Sequence, residues 1–191
     1  TYEDDTYYGQ DSVTITVLKK PALSDFTYTL PGDTVYDTTA KEATVAVKGG
    51  ITGMGSYKIL YNGSETAPVD AGTYTVTLQV AKSDTYAAAT FNLGTFTIAK
   101  ATPTITASDL TVTKNTTQAL SASISNGEAL TYQSSNPSIA AVDANGAVTG
   151  VAEGTAIITI YYSGSENYNS MTKNVTVTVT AKNLVAVTFA A

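Results

Sequence analysis

The sequence contains no cysteine, histidine, tryptophan or arginine. Without cysteine there are no disulfide bonds or thiolate metal sites, and without histidine the commonest general base and transition-metal ligand are missing. Without arginine there is no bidentate group to bind phosphate, and 10 basic against 16 acidic residues give a net charge of −6, which would repel a nucleic-acid backbone. We therefore expect no nucleic-acid partner, no cofactor and no enzymatic activity.

Long apolar runs are missing as well. No stretch approaches the ~20 apolar residues of a membrane helix, and the chain does not open on a basic segment followed by an apolar one, as a signal peptide does. We therefore expect no membrane insertion here and treat the sequence as a fragment of a longer protein, with export and anchoring signals outside it. The missing cysteines do not argue against export, because β-sandwiches can be rigid without disulfides.

What the sequence has in abundance is alternation. Residues 73–80 place Tyr74, Val76 and Leu78 on one face and threonine or glutamine on the other, as in a half-buried antiparallel strand. In residues 91–98 the apolar parity changes across Gly94, which predicts a β-bulge there. Turn residues separate such segments throughout, at Asn62-Gly63, Asp70-Ala71-Gly72, Asn126-Gly127 and Asn145-Gly146. Short strands with such turns predict an all-β sandwich rather than an α/β fold.

A short motif recurs three times before an alternating strand: Asp5-Thr6-Tyr7, Asp84-Thr85-Tyr86 and Glu166-Asn167-Tyr168. Its tyrosines are 79 and 82 positions apart, and the lysines at 20, 100 and 182 are 80 and 82 apart, which is one small sandwich per period. We therefore predict the terminal strand of a preceding repeat (1–19), two sandwiches (20–100 and 101–182) and the start of a following repeat (183–191).

The second repeat resembles the bacterial Ig-like group 2 domain through its long segment 134–160, which reads SSNPSIAAVDANGAVTGVAEGTAIITI. The resemblance covers residues 101–181. It implies an immunoglobulin-like module of the kind found in intimin-like and other cell-surface proteins, where such modules serve as spacers or adhesive stalks. The fold class that we expect is therefore all-β, with tandem immunoglobulin-like β-sandwiches.

The first repeat, residues 21–100, resembles the MBG family of surface-protein repeats. The resemblance rests on Val35-Tyr36-Asp37-Thr38-Thr39-Ala40-Lys41, on Tyr61-Asn62-Gly63-Ser64 and on Val69-Asp70-Ala71-Gly72-Thr73-Tyr74-Thr75-Val76. Thr38 stands where the family motif has glycine. Either this turn does not need a positive φ, or its geometry differs from that of the family.

We assign no catalytic, cofactor-binding, metal-binding or ligand-binding residue, although four features were considered. The cluster Glu3-Asp4-Asp5 would suit calcium or be a solvated loop. Lys58 is a candidate for an isopeptide bond or a guard of an edge strand. The carboxylates considered for glycoside hydrolysis lie in predicted turns, where they would cap their own backbone: Asp70, Asp84, Glu128, Asp143 and Glu153. The tyrosines considered for sugar stacking would otherwise fill strand faces: Tyr7, Tyr8, Tyr57, Tyr61, Tyr161 and Tyr162.

The function expected from these features is that of a non-catalytic structural spacer region in a bacterial cell-surface or secreted protein, of the kind that forms an adhesin-type stalk. The alternative is an adhesin module that binds a host or cell-surface glycan or protein. A weaker alternative is an accessory region of an extracellular enzyme. We expect a monomer, with apparent dimers arising when the orphan strands at 1–19 and 183–191 pair with other molecules.

Overall fold

The computed structural model describes residues 15–182, and in this range the chain is all-β, as predicted. A single 3-10 turn, Leu23–Asp25, precedes the first strand. The strands are β1 (Phe26–Thr29), β2 (Thr34–Val35), β3 (Thr44–Val47), β4 (Tyr57–Tyr61), β5 (Gly72–Val80), β6 (Ala89–Ala99), β7 (Ile105–Thr106), β8 (Leu110–Thr113), β9 (Thr117–Ala119), β10 (Ser123–Ile124), β11 (Thr131–Ser134), β12 (Ala140–Val142), β13 (Ala147–Gly150), β14 (Gly154–Tyr162) and β15 (Met171–Thr180).

The described chain divides into two compact units whose limits differ from those of the sequence repeats. The first unit holds residues 15–32, 40–68 and 74–96. The second holds residues 33–39, 69–73 and 97–182. The second unit thus includes two turns and the end of a strand that belong in sequence to the first repeat. The repeat boundaries at 20, 100 and 182 remain predictions.

The first unit is built on the alternation seen in the sequence. Strands β1 and β3 pair antiparallel, from Phe26 opposite Val47 to Thr29 opposite Thr44, and the larger sheet contributes β6, β5 and β4 to this unit in that order. Val76 and Leu78 are fully buried, as the period-two pattern predicts. The ring of Phe96 lies 5.6 Å from that of Tyr74, and the two rings stack. One face of β5 therefore forms the core of the unit.

Gly94 has the backbone of a bulge residue, which confirms the expectation drawn from parity. Leu93 and Phe96 are both buried, so the buried positions on β6 shift by one residue across Gly94. Gly94 has a φ of 128°, and its N–H donates to the side-chain oxygen of Asn92 at 2.9 Å. The extra residue lets the strand keep an apolar face on both sides of the bulge.

The second unit contains a four-stranded sheet of order β11-β14-β15-β8, a three-stranded sheet of order β12-β13-β9 and the short pair β10-β7. Strands β14 and β15 pair antiparallel along their length, from Gly154 opposite Val179 to Tyr162 opposite Met171. Residues from these sheets form one apolar cluster, whose fully buried members are Ala140, Val148, Ile158, Ile160 and Val177. The cluster is the core of a β-sandwich.

Two short parallel pairings begin in the same way. Strand β2 pairs with the end of β6 and β8 with the end of β15, both parallel. In each case an aspartate stands immediately before the short strand and accepts a backbone N–H from the longer one: Asp33 from Thr97 at 2.8 Å, and Asp109 from Thr176 at 2.7 Å. The carboxylate thus continues the ladder by one bond beyond the first strand residue.

The turn at Thr38 requires a positive φ. Thr38 has a φ of 68°, a left-handed conformation that β-branched residues rarely adopt. The neighbouring Thr39 stabilises the turn, since its N–H and its hydroxyl both donate to Asp37 Oδ1, at 3.0 and 2.6 Å. Of the two explanations for the missing glycine, the idea that the turn does without a positive φ is therefore wrong.

Candidate functional site

The carboxylates considered for catalysis mostly have structural partners. Asp143 accepts the N–H groups of Asn145 and Ala147, both at 2.8 Å, and so closes its own turn as predicted. Asp84 and Glu153 are exposed. Within residues 15–182, no three acidic side chains come together in a way that could hold a metal ion. The cluster Glu3-Asp4-Asp5 lies outside the described residues.

Glu128 belongs to a small polar network of the second unit. The hydroxyl of Tyr162 donates to Glu128 Oε2 at 2.9 Å, and that of Ser165 donates to Glu128 Oε1 at 3.2 Å. Tyr162 and Ser165 also lie 3.1 Å apart through their hydroxyl oxygens. Both oxygens of the carboxylate are thus occupied by hydroxyl groups, which suits a structural role rather than a general acid.

The tyrosines considered for sugar stacking are of two kinds. Tyr61 and Tyr162 are buried, at 5% and 3% exposure, and do not offer a ring to a ligand. Tyr57 in the first unit and Tyr161 in the second are exposed to 38% and 36%. Tyr7 and Tyr8 lie outside the described residues. Sequence alternation separates Tyr161 from Tyr162, which point to opposite faces of one strand, but it does not separate Tyr57 from Tyr61, which lie four positions apart on β4.

Tyr57 lines an open groove of about 680 Å³ on the first unit. Its ring meets that of Phe26 edge to face at 5.8 Å, and its hydroxyl donates to the carbonyl of Val45 at 3.2 Å. Lys58 and Gln79 line the same groove. The groove thus brings an aromatic ring and polar side chains together in a concave surface.

Lys58 lies on strand β4, at the edge of its sheet, and forms an ion pair with Glu65. Its side chain is 47% exposed. Isopeptide bonds need a lysine shielded from water, so this environment favours the other interpretation, a charged guard on an edge strand.

The recurring tyrosine motif forms the same backbone structure in both repeats. We call residues 83–87 and 165–169 the first and second corner. In the first corner, Lys19 N–H donates to the carbonyl of Thr85 and Ala87 N–H donates to the carbonyl of Lys19, both at 2.8 Å. Lys19 and Tyr86 form an isolated parallel bridge, and the lysine ammonium lies 5.8 Å from the centre of the tyrosine ring.

The second corner repeats this arrangement 82 positions later. Ala101 N–H donates to the carbonyl of Asn167 at 2.9 Å, and Asn169 N–H donates to the carbonyl of Ala101 at 2.8 Å. Ala101 and Tyr168 form the matching parallel bridge. In both repeats the corner thus forms two backbone hydrogen bonds with a residue near the start of the repeat, Lys19 or Ala101.

The linker between the repeats has further bonds to the second corner. Lys100 Nζ donates to the carbonyl of Ser165 at 2.7 Å, and Asn169 Nδ2 donates to Thr102 Oγ1 at 2.9 Å. Residues 100–102 are therefore bonded to the repeat that follows them.

Asn167 forms two side-chain hydrogen bonds that the sequence analysis did not predict. Its Nδ2 donates to Asp70 Oδ1 at 2.9 Å, and its Oδ1 accepts the N–H of Ala71 at 2.7 Å, all within the second unit. The signal was present in the repeated motif, whose middle residue is Thr85 in one copy and Asn167 in the other. The tyrosine that the copies share does not reveal that difference.

Two family models match the chain. Residues 27–102 match the MBG domain, and residues 116–163 match the immunoglobulin-like domain of intimin. The second match lies inside the predicted repeat 101–182, and the first extends two residues past the predicted boundary at 100. A comparison with curated proteins finds no match.

Several solved structures are similar at low identity. Domains 4 and 5 of the S-layer protein SbsC share 19% identity at a TM-score of 0.34, with 81% of this chain and 96% of that one covered. The fibronectin(III)-like modules of Clostridium thermocellum CbhA share 13% at a TM-score of 0.33, covering 87% and 100%. A C-terminal fragment of intimin, solved with the intimin-binding domain of its receptor Tir, shares 19% at a TM-score of 0.32, covering 83% and 64%.

The chain spans only 29% of the longer SbsC structure that comprises residues 31–844. At these identities and TM-scores, the similar structures assign neither a ligand nor a partner to this chain. Within residues 15–182 there is also no helix with the length and apolarity that a bilayer crossing requires. The family matches and the strand architecture together identify an MBG domain over residues 27–102, followed by an immunoglobulin-like domain over residues 116–163.

Proposed function

We propose that this chain is a non-catalytic spacer region of a bacterial cell-surface or secreted protein, with adhesin-type stalks as its closest functional class. The observation that carries the proposal is the repeated corner. Lys19 and Ala101 each form two backbone hydrogen bonds with the repeat that follows. Few residues are then left free between one repeat and the next, and a chain of modules needs this in order to hold a distal domain away from its anchor.

The polar chemistry of the described residues supports the same proposal. Asp143 closes a turn, Glu128 receives two hydroxyl groups, and Lys58 pairs with Glu65 at a sheet edge. Each of these side chains already has a partner that serves the fold. A spacer needs stable modules rather than reactive groups, and the chain's composition, without histidine or cysteine, fits that need.

The alternative is a module that binds a glycan or protein, and the groove beside Tyr57 favours it. The groove is lined by Tyr57 together with Lys58 and Gln79. Sugars are commonly bound by an aromatic face combined with polar side chains. The exposed Tyr161 of the second unit is a separate candidate contact.

A binding screen distinguishes the two functions. The full 191-residue chain would be applied to a glycan array and to extracellular-matrix proteins, together with its Gln79→Ala and Tyr161→Phe variants. We expect no reproducible binding by any of the three proteins. Binding that Gln79→Ala abolishes would replace the spacer by an adhesive module with its site in the groove, while binding lost only in Tyr161→Phe would place the site on the second unit.

A further inference from the structure

The second corner forms hydrogen bonds with residues other than the linker residues 100–102. Within the second unit it also contacts two turns that belong in sequence to the MBG repeat, residues 33–39 and 69–73. Asn167 Nδ2 donates to Asp70 Oδ1, Asn167 Oδ1 accepts from Ala71 N–H, and the rings of Tyr36 and Tyr168 meet edge to face at 5.4 Å. We propose that Asn167 is a latch that recognises the Asp70-Ala71 turn of an MBG-type repeat.

The chemistry of the latch is specific to an amide. A side-chain amide carries one acceptor oxygen and one donor NH2 group on the same carbon, whereas Asp70 offers only an acceptor and Ala71 N–H only a donor. Asn167 satisfies both at once with distances of 2.9 and 2.7 Å. A threonine hydroxyl in its place is a single atom and cannot span the two groups, and an aspartate would place a second carboxylate against Asp70.

The two repeats can be superimposed on each other in sequence by an offset of 82. Strands β5 and β14 are each nine residues long and begin at Gly72 and Gly154, and the backbone bonds of the two corners are also 82 apart. By this offset, Asp70 corresponds to Ala152 and Asn167 corresponds to Thr85. The pair that forms the latch is thus replaced at both equivalent positions.

This difference makes the latch selective for the order of the repeats. A repeat that followed the immunoglobulin-like domain would meet Ala152, which has no carboxylate. A repeat that preceded the MBG domain would meet Thr85, which has no amide. In an array that alternates the two types, latched junctions would alternate with unlatched ones. The inference holds whether the array is a spacer or an adhesive module, because it concerns the junction alone.

Hydrogen exchange of the Ala71 amide, followed by NMR on the full chain, tests the latch directly. Asn167→Thr copies the residue at the equivalent corner and removes the side-chain amide whose oxygen accepts the Ala71 N–H. We expect exchange at Ala71 to become about tenfold faster, as for the loss of one hydrogen bond. Asp70→Asn keeps an acceptor oxygen of the same size and is expected to change the rate by less than about threefold.

Two controls make the result decisive. Glu166→Ala alters an exposed neighbour in the same corner and should leave the Ala71 rate unchanged. The Ala87 amide, which bonds to Lys19 in the first corner, should exchange at the wild-type rate in every variant, showing that the fold is intact. An Ala71 rate in Asn167→Thr within twofold of wild type, with Ala87 protected, would overturn the latch. So would an equal acceleration by Glu166→Ala.

Discussion

Among the described residues, Thr38 is the β-branched residue that has a positive φ. Its φ of 68° is left-handed, and a β-branched side chain there costs roughly 1–3 kcal/mol. Glycine would relieve this strain but would lose more entropy on folding, by about 0.5–1 kcal/mol. We therefore expect Thr38→Gly to raise the free energy of unfolding by about 1 kcal/mol, measured by urea denaturation. Thr39→Gly is the control and should lower it, because Thr39 donates two hydrogen bonds to Asp37.

Gly55 is constrained by space rather than by φ. A Cβ built on Gly55 would lie 1.9 Å from the carbonyl oxygen of Ala81, a backbone atom that cannot move aside as a side chain can. We expect Gly55→Ala to lower the free energy of unfolding by about 3 kcal/mol or more. Gly49→Ala is the matched control, since a Cβ there meets nothing within 4 Å and should change stability by less than about 1 kcal/mol. Equal effects of the two substitutions in thermal or urea unfolding would contradict this explanation.

At the level of elements, the parallel pairings depend on an aspartate before each short strand. Asp33 and Asp109 each accept one backbone N–H at the start of the ladder. We expect Asp109→Ala to cost about 1 kcal/mol of unfolding free energy, because Thr176 N–H loses its partner. Asp109→Asn, which keeps an acceptor, should recover most of that loss. If alanine and asparagine behave alike in urea denaturation, the hydrogen bond contributes nothing to stability.

The same elements show how far local patterns reach. Alternation predicts the buried face of β5 and the bulge at Gly94, because both depend on residues one or two positions apart. It cannot predict that β2 and β8 pair parallel with the last strand of their repeats, since a two- or four-residue segment carries too little periodicity. That pairing depends on contacts such as Asp109 with Thr176, 67 positions apart.

At the level of the whole molecule, the first corner makes a testable statement about where the MBG repeat begins. Lys19 forms two backbone hydrogen bonds with the corner, whereas Ile15 and Val17 are more than 80% exposed, so we predict that the folded repeat includes Lys19. A chain that begins at Val17 should therefore be more stable than one that begins at Pro21, by about 2 kcal/mol for the two bonds. Urea unfolding of both shortened chains measures the difference. Equal stabilities of the two shortened chains would mean that the repeat begins after Lys20.

The period of about 80 residues, the alternating strands and the turn residues predict two all-β repeats, and the resemblance of their motifs to known families predicts which families these are. Each of these signals lies within one strand, one turn or one motif, where neighbouring side chains share a single local geometry. The absence of histidine and cysteine likewise limited the chemistry without any coordinates. The burial of Tyr61 and the exposure of Tyr57 could not be predicted from alternation, because both tyrosines belong to the same short strand and lie four positions apart on it.

Contacts between residues that lie far apart in the sequence are determined only by the tertiary structure. Asn167 meets Asp70 across 97 positions, and the positive φ of Thr38 is visible only in the folded turn. A local sequence pattern does not distinguish an asparagine that caps its own turn from an asparagine that bonds to a distant turn, because the side chain is the same in both cases. Composition and period therefore define the kind of module, while the three-dimensional structure defines which residues hold successive modules together.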